Sequence, residues 1–263
     1  MLPDFKMIVH KYPVRQDIVI YPIADVHLGA AEHNAEAWAG FCKKIQAEDN
    51  AYVLLLGDLL NNCTRSSISD IWREVLTPRQ AKKLMVEMLE PLKSKVLAAV
   101  TGNHERRSVK ETSDDPTYDI MCKLDIEHLY REDIAFVKLQ MGDNVNGSGL
   151  RNPTYTLVVT HGAGGGGIYT GATVNRAERA GYYIDGADVI ILGHSHKPFV
   201  TQPAKIKINA QRNEVYYKPF KVISATSWLD YGGYAAQKML PPTSIAPQAL
   251  KLYGKTKKIE VTM

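Results

Sequence analysis

Cysteine is scarce in this 263-residue chain: Cys42, Cys63 and Cys122 are the only three. They are too few and wrongly spaced for a disulfide framework or a Cys-x-x-Cys metal site, which points to a reducing compartment and to thiols that pack in the core. Long apolar runs are missing too, and none approaches the roughly 20 residues of a membrane span. The first twenty residues mix Asp4, Lys6, Lys11, Arg15 and Asp17 with short apolar pieces instead of forming a leader. A cytoplasmic protein without a membrane partner is expected. Neither sign of charge dominates: the net charge of +4 and pI near 8.8 suit an anionic substrate but fall short of a dedicated nucleic-acid-binding tail. Internal repeats, heptads, low-complexity tails, an evident capping domain and a coiled-coil arm are also lacking. With 45% hydrophobic residues and a length close to the limit of one core, residues 1–263 are expected to form a single domain.

What the chain does have is one pattern that recurs five times. Its clearest copy is Tyr52-Val-Leu-Leu-Leu-Gly-Asp58. A short apolar run reads as a buried strand, and Gly57 ends it so that Asp58 emerges at the carboxyl end. Asp17 to Ala24 likewise runs into Asp25 and His27, and Lys95 to Gly102 into Asn103 and His104. Tyr155 to Thr160 runs into His161, and Ala187 to Gly193 into His194 and His196. The carboxyl ends of strands in open α/β sheets are where sites assemble, because loops converge there. Five runs that each deliver a metal-ligand side chain at that point make a metal site the leading expectation.

The remaining stretches read as scaffold. His33 to Ala47 places Ala35, Trp38, Phe41, Cys42 and Ile45 at a spacing near 3.6, which predicts an amphipathic helix joining two strands. Ser66 to Leu76 suggests a short helix, Thr77-Pro78 caps one running toward Leu92, and Asp115-Pro116 opens one through Leu124. A further helix is expected from about Thr173 to Ala180. Ile134 to Met141 alternates as a strand does, and Gly142 to Asn152 reads as a flexible insertion. The run Gly162 to Gly167 lacks the Gly-Lys-Ser/Thr of a nucleotide-binding P-loop, so it reads as a lid or a plain loop. Beyond Phe199 come short strands around Ile206–Ile208, Glu214–Tyr217, Val222–Ser224, Leu250–Leu252 and Ile259–Val261.

Asp25, His27, Asp58, Asn103, His161, His194 and His196 together offer two aspartates, one asparagine and four histidines. A pair of divalent ions about 3.5–4 Å apart needs a shared carboxylate to offset their repulsion, and neutral imidazole and oxygen donors to fill each shell. Asp58 is placed as the shared carboxylate. Asp25-Val-His27 and His194-Ser-His196 each set two ligands two residues apart, which in extended backbone would turn both side chains the same way. Nitrogen and oxygen donors without thiolate suit Mn²⁺, Fe, Zn²⁺ or Ni²⁺, and the affinity order favours whichever of them the medium supplies. His10, His33 and His128 lie outside any motif and are read as structural.

Asp25-x-His27, Gly57-Asp58, Gly102-Asn-His-Glu105, His161-Gly162 and Gly193-His-x-His196 resemble the five motifs of calcineurin-like metallophosphoesterases, in that family's order. The resemblance implies an α/β fold: a two-sheet β-sandwich flanked by helices in four layers, with the site at one edge. It implies that Asp25, His27 and His196 hold one metal, that Asn103, His161 and His194 hold the second, and that Asp58 holds both. It further implies hydrolysis of phosphate mono- or diesters by a metal-bridging hydroxide, with His104 as the general acid or phosphoryl stabiliser. Glu105 or an aspartate elsewhere could hold the other nitrogen of His104, and the sequence assigns neither.

Substrate contacts are expected from Asn103 and Arg107; Arg106, Arg107 and Lys110 could grip a phosphate together or form a solvated charge cluster. Asp25-Val-His-Leu-Gly29 also resembles the first motif of the family's DNA-repair nucleases, so nucleotides and nucleic acid stand beside small esters as partners, with a metal-dependent nuclease as the alternative activity. A non-catalytic scaffold with this fold is a third reading. Trp228, Tyr231 and Tyr234, beside Gly232-Gly233, are read first as packing aromatics and second as a stacking surface for a base.

Overall fold

A computed structural model describes residues 5–65, 67, 71–142, 152–164 and 170–263. In chain order its elements are strands β1 (Ile8–Tyr12) and β2 (Ile18–Ile23), helix α1 (Ala35–Ala47), strand β3 (Ala51–Leu55), helix α2 (Pro78–Leu89) and strand β4 (Val96–Val100). Helices α3 (Glu105–Thr112) and α4 (Pro116–Lys123) follow, then strands β5 (Tyr130–Arg131), β6 (Ile134–Met141) and β7 (Thr154–Thr160). Helix α5 (Thr170–Tyr183) leads to strands β8 (Val189–Leu192), β9 (Phe199–Thr201), β10 (Ala204–Asn209), β11 (Glu214–Pro219) and β12 (Lys221–Ser224). The chain closes with helix α6 (Gly233–Gln237) and strands β13 (Ala249–Leu252) and β14 (Ile259–Thr262).

Two mixed sheets carry the fold. One has the order β14-β13-β2-β3-β4-β5, the other β1-β6-β7-β8-β12-β9, and β10 and β11 form a separate hairpin. The strands that lead into the site run parallel within their sheets: β2 beside β3 beside β4, and β7 beside β8. Their apolar runs follow from burial on both faces, where only apolar side chains keep their contacts without unmet hydrogen bonds. One continuous core holds Ile18, Leu55 and Val100 of the first sheet together with Val137, Val159 and Ile191 of the second. Ala177 on α5 packs outside the second sheet with Val158, Ile190 and Val222, while α1 and α2 bring Trp38, Phe41 and Met85 into the main core. The layers are therefore helix, sheet, sheet, helix. Among the described residues no helix is long and apolar enough to cross a membrane.

The helix starts follow the sequence closely. Asn34 caps α1 by accepting from Ala37 N at 2.9 Å, Thr77 and Gln80 form a reciprocal box at α2, and Asp115 caps α4. Elsewhere the expectations need correction. Helix α2 ends at Leu89, and a 3-10 stretch, Glu90–Lys95, takes over, because Pro91 has no N–H to continue the α-helical ladder. The helix expected over Ser66–Leu76 reduces, among the described residues, to the 3-10 turn Ile71–Arg73; residues 66 and 68–70 lie outside them. The insertion expected over Gly142–Asn152 also falls outside the described residues except at its ends, where Asn152 Nδ2 donates to the Gly142 carbonyl at 2.7 Å. Cys63 is buried, whereas Cys42 and Cys122 are half-buried instead of fully in the core.

Candidate metal centre

Five strands deliver the predicted side chains, but they do so from two sheets that face each other. Asp25, Asp58 and Asn103 follow β2, β3 and β4 of one sheet, and His161 and His194 follow β7 and β8 of the other. The two-apart pairs do not work as extended pincers. Asp25 (φ 52°), His27 (φ 48°), Asp58 (φ 50°), His194 (φ 66°) and His196 (φ 55°) all occupy left-handed backbone. Such a conformation costs an L-residue of order 1–3 kcal/mol and persists where surrounding contacts dictate it. Here they do: Asp25 N donates to Gly57 O at 3.2 Å, His27 N to Asp58 O at 3.0 Å and Gly193 N to His161 O at 3.1 Å, lacing neighbouring loops together. Gly57 (φ 82°) has no room for a side chain, since a Cβ there would collide with the backbone of Gly102.

The side chains converge. Asp58 Oδ2 lies 3.4 Å from His161 Nε2, 3.8 Å from His104 Nε2 and 3.9 Å from His27 Nε2. Asp25 Oδ1 lies 3.5 Å from His196 Nε2 and 3.9 Å from His27 Nε2, and the two imidazole Nε2 atoms are 3.1 Å apart. On the other side Asn103 Oδ1 sits 2.8 Å from His161 Nε2 and 2.6 Å from His194 Nδ1. Asp25, His27 and His196 form one group whose donor atoms could share an ion, and Asp58, His161 and His194 form another.

The donor set fits cations. His161 Nδ1 donates to the Leu56 carbonyl at 2.7 Å and His194 Nε2 to the Gly164 carbonyl at 2.6 Å, so in the neutral rings His161 Nε2 and His194 Nδ1 are lone pairs aimed at Asn103 Oδ1. Lone pairs so close repel unless a proton or a cation lies among them. Both carboxylate oxygens of Asp25 and Nδ1 of His27 are buried without a hydrogen-bond partner, which is costly in a site without compensating charge. The field tells the same way. Burial opposes charge on His161, yet Asp58 beside it pushes the imidazole up to about 9; Asp25 likewise raises His196 against the cost of burial. His27 and His194 are driven down, first by burial and then by neighbouring histidines. Burial would raise Asp58, but His161 and His104 hold its carboxyl well below the usual carboxylate range.

His104 is part of this cluster, with its ring 4.3 Å from that of His27. Its Nδ1 donates to the Asn61 carbonyl at 2.8 Å, so Asn61 takes the place expected for Glu105 or an aspartate. Arg107 Nη2 lies 3.0 Å from His104 Nε2 and Nη1 donates to the same Asn61 carbonyl at 3.1 Å. Burial, aided by Arg107, lowers the His104 pKa. Arg106, by contrast, turns away to Glu132 and Asp133. Glu105 has a task that its position gave no sign of. Fully buried, its carboxylate accepts from Asp58 N (2.9 Å), Leu60 N (2.9 Å) and Gly102 N (3.1 Å), clamping the loop that presents Asp58; burial and then the Asp58 charge push it up to about 7. Asn62 adds a second tie, donating to the His104 carbonyl at 2.9 Å. His10 and His33, expected to be structural, bond to the Leu97 and Val26 carbonyls at 2.9 and 2.8 Å. Of the glycine run, Gly162 and Gly164 border the site, while residues 165–167 lie outside the described residues.

A cavity of about 590 Å³ opens over the cluster and is lined by His27, Asn103, His104, Arg107, His194 and His196, then by the segment from Ser227 to Thr243.

A helix-flanked pair of mixed sheets, with aspartate and histidine groups able to hold metal at the ends of their strands, is the metallophosphoesterase fold. The profile of the calcineurin-like phosphoesterases matches residues 18–198, and the chain belongs to that family. The family consists mostly of metal-dependent phosphoester hydrolases. Among solved structures, the chain is similar to Vps29 of Chaetomium thermophilum at 13% identity and a TM-score of 0.38, covering 93% of this chain and 96% of that one. It is also similar to a Staphylococcus aureus protein assigned as a 5'-nucleotidase, at 10% identity and a TM-score of 0.46, covering 93% of this chain and 53% of that one. A search of curated proteins finds no match.

Proposed function

We propose that this chain is an enzyme that hydrolyses phosphate mono- or diesters with two divalent metal ions, Mn²⁺ first among the candidates. In this reading Asp25, His27 and His196 hold one ion, Asn103, His161 and His194 the other, and Asp58 both. The supporting observation is the position of Asp58 Oδ2, a buried carboxylate oxygen within 3.9 Å of imidazole nitrogens from three separate loops. Two such ions supply charge neutralisation at the phosphoryl group and lower the pKa of a coordinated water.

The chain's own residues do the rest. The Glu105 clamp and the left-handed loops fix the ligands before substrate arrives, so little reorganisation is left for the reaction. Asn103 and Arg107 face the phosphoryl group. Water releases a proton to solvent and forms the new bond to phosphorus opposite the ester oxygen, and the phosphorus–oxygen bond of the leaving group breaks. His104 is oriented through its Nδ1–H to Asn61, and its Nε2, which accepts from Arg107 in the resting site, becomes available to the leaving oxygen when Arg107 turns to the phosphate. Burial and Arg107 keep it neutral in the resting site, and the negative charge of a bound phosphate favours its imidazolium, which then protonates the leaving oxygen.

The test is metal content and ester hydrolysis of wild type, Asp58→Asn and His104→Ala. Asp58→Asn should lose both metal and rate, whereas His104→Ala should keep metal and lose about 10²–10⁴-fold in rate. Hydrolysis at the wild-type rate in both variants rejects the assignment. A wild-type protein that binds metal but cleaves no ester with any metal is a scaffold instead.

A further inference from the structure

We infer that the segment after β12 builds a leaving-group subsite on the metal centre, in which Tyr231 and Tyr234 receive the base of a nucleotidyl phosphoester. The inference rests on the proposed hydrolytic reading and narrows its substrate class.

Size is the first observation. A phosphoryl group alone leaves most of a cavity of about 590 Å³ unfilled, and pockets of roughly 300–1,000 Å³ bury ligands of nucleotide dimensions. The second is the mixed chemistry of the lining, which joins the imidazoles and Asn103 with Arg107 and Lys197, the acids Glu74 and Asp230, the Arg73–Glu32 pair, and Tyr231, Tyr234, Leu240 and Pro241 from the segment after β12. Arg107 and Lys197 suit a phosphate, and aromatic faces in the same cavity suit a flat ring attached to it. Tyr231 and Tyr234 are 54% and 48% exposed, and Lys238 Nζ stands over one face of the Tyr234 ring, 6.0 Å from its centroid, leaving the other face for a base. Trp228 takes that other role: it is buried against Trp38 and Phe41, with ring centroids 5.2 and 4.7 Å away.

The third observation is that this segment is fastened to the metal loops. Trp228 N donates to the Asp25 carbonyl at 3.0 Å, Asp230 N to the Glu32 carbonyl at 2.8 Å, and Asn34 Nδ2 to Asp230 Oδ1 at 2.8 Å. Glu32 pairs with Arg73 at 2.7 Å and packs so closely on Gly233 (φ 47°) that a Cβ there would strike its carboxylate. The tyrosines are thus presented from a preformed wall at a fixed reach from Asp25, which spares the cost of ordering them on binding.

The same base could belong to a free nucleotide or to the end of a nucleic-acid strand. The test therefore uses two pairs: AMP against ribose 5-phosphate, and a dinucleoside phosphate against its abasic counterpart. Calorimetric affinity and kcat/KM are measured on the Mn²⁺-loaded protein for each. Wild type should prefer the base-bearing member of at least one pair by about 10–100-fold, the worth of one stacked base, and the pair that shows it identifies the source. In Tyr231→Leu/Tyr234→Leu the preference should collapse toward one, in Tyr231→Phe/Tyr234→Phe it should persist, and in Tyr217→Ser, on the remote β10-β11 hairpin, it should be unchanged. No preference in wild type for either pair, or a preference that survives in the leucine variant, overturns the subsite. Binding preference without hydrolysis of any ester leaves the subsite standing and rejects the hydrolytic reading.

Discussion

Glu105→Gln probes the support beneath the metal centre without substituting any proposed ligand. The Glu105 carboxylate takes three buried backbone N–H groups: Oε2 accepts from Asp58 and Gly102, and Oε1 from Leu60. Glutamine has one oxygen. If that oxygen replaces Oε2, the new amide NH₂ confronts Leu60 N–H; if it replaces Oε1, two donors are orphaned. A buried donor without an acceptor costs about 1–3 kcal/mol, so Glu105→Gln should lower unfolding free energy by at least about 1–3 kcal/mol, measured by urea denaturation of the metal-free protein. Because Asp58 is the residue displaced, Mn²⁺ affinity measured by calorimetry should fall about 10–100-fold, the usual loss when a group that orients a ligand is removed. Hydrolysis should recover in part when Mn²⁺ is raised to saturation. Wild-type stability together with wild-type Mn²⁺ affinity would refute the clamp.

Other predictions follow from parts of the fold away from the ligands. Trp38→Ala removes a fully buried ring that supports both the core and Trp228, and should cost about 3–5 kcal/mol in denaturant unfolding; a loss under 1 kcal/mol would contradict the packing. His10, half-buried on β1, has its pKa lowered by burial despite its bond to Leu97. The unfolded chain therefore binds more protons than the folded one in mild acid, so His10 lowers stability as pH falls below its unfolded value of about 6.5. His10→Gln should flatten the fall in unfolding free energy between pH 7.5 and 5.5, and an unchanged slope would contradict the shift.

Strands were the most legible part of the chain. Residues 51–55, 96–100 and 189–192 sit on buried strands, where an uninterrupted apolar run is the direct consequence of two covered faces. Caps were legible for a similar reason, since Thr77-Pro78 and Asp115-Pro116 act locally. Helix α3 left no such trace. Its sequence, Glu-Arg-Arg-Ser-Val-Lys-Glu-Thr, has no apolar stripe, and its one buried side chain is Glu105. Only an acidic first turn and Lys110 in the last hint at it, through the helix dipole. At the site, sequence spacing named the side chains that meet but not the backbone that carries them. Left-handed Asp25 and His194 are imposed by tertiary ties between loops far apart in sequence. The Asn61 carbonyl beneath His104 and the three N–H groups on Glu105 are likewise backbone partners, which no pattern of side chains records.

The most direct measurement is anomalous diffraction at the manganese edge from crystals soaked in Mn²⁺. Two peaks about 3.5–4 Å apart should flank the Asp58 carboxylate, one beside Asp25, His27 and His196 and the other beside Asn103, His161 and His194. A single peak, or peaks remote from Asp58, would contradict the two-ion centre.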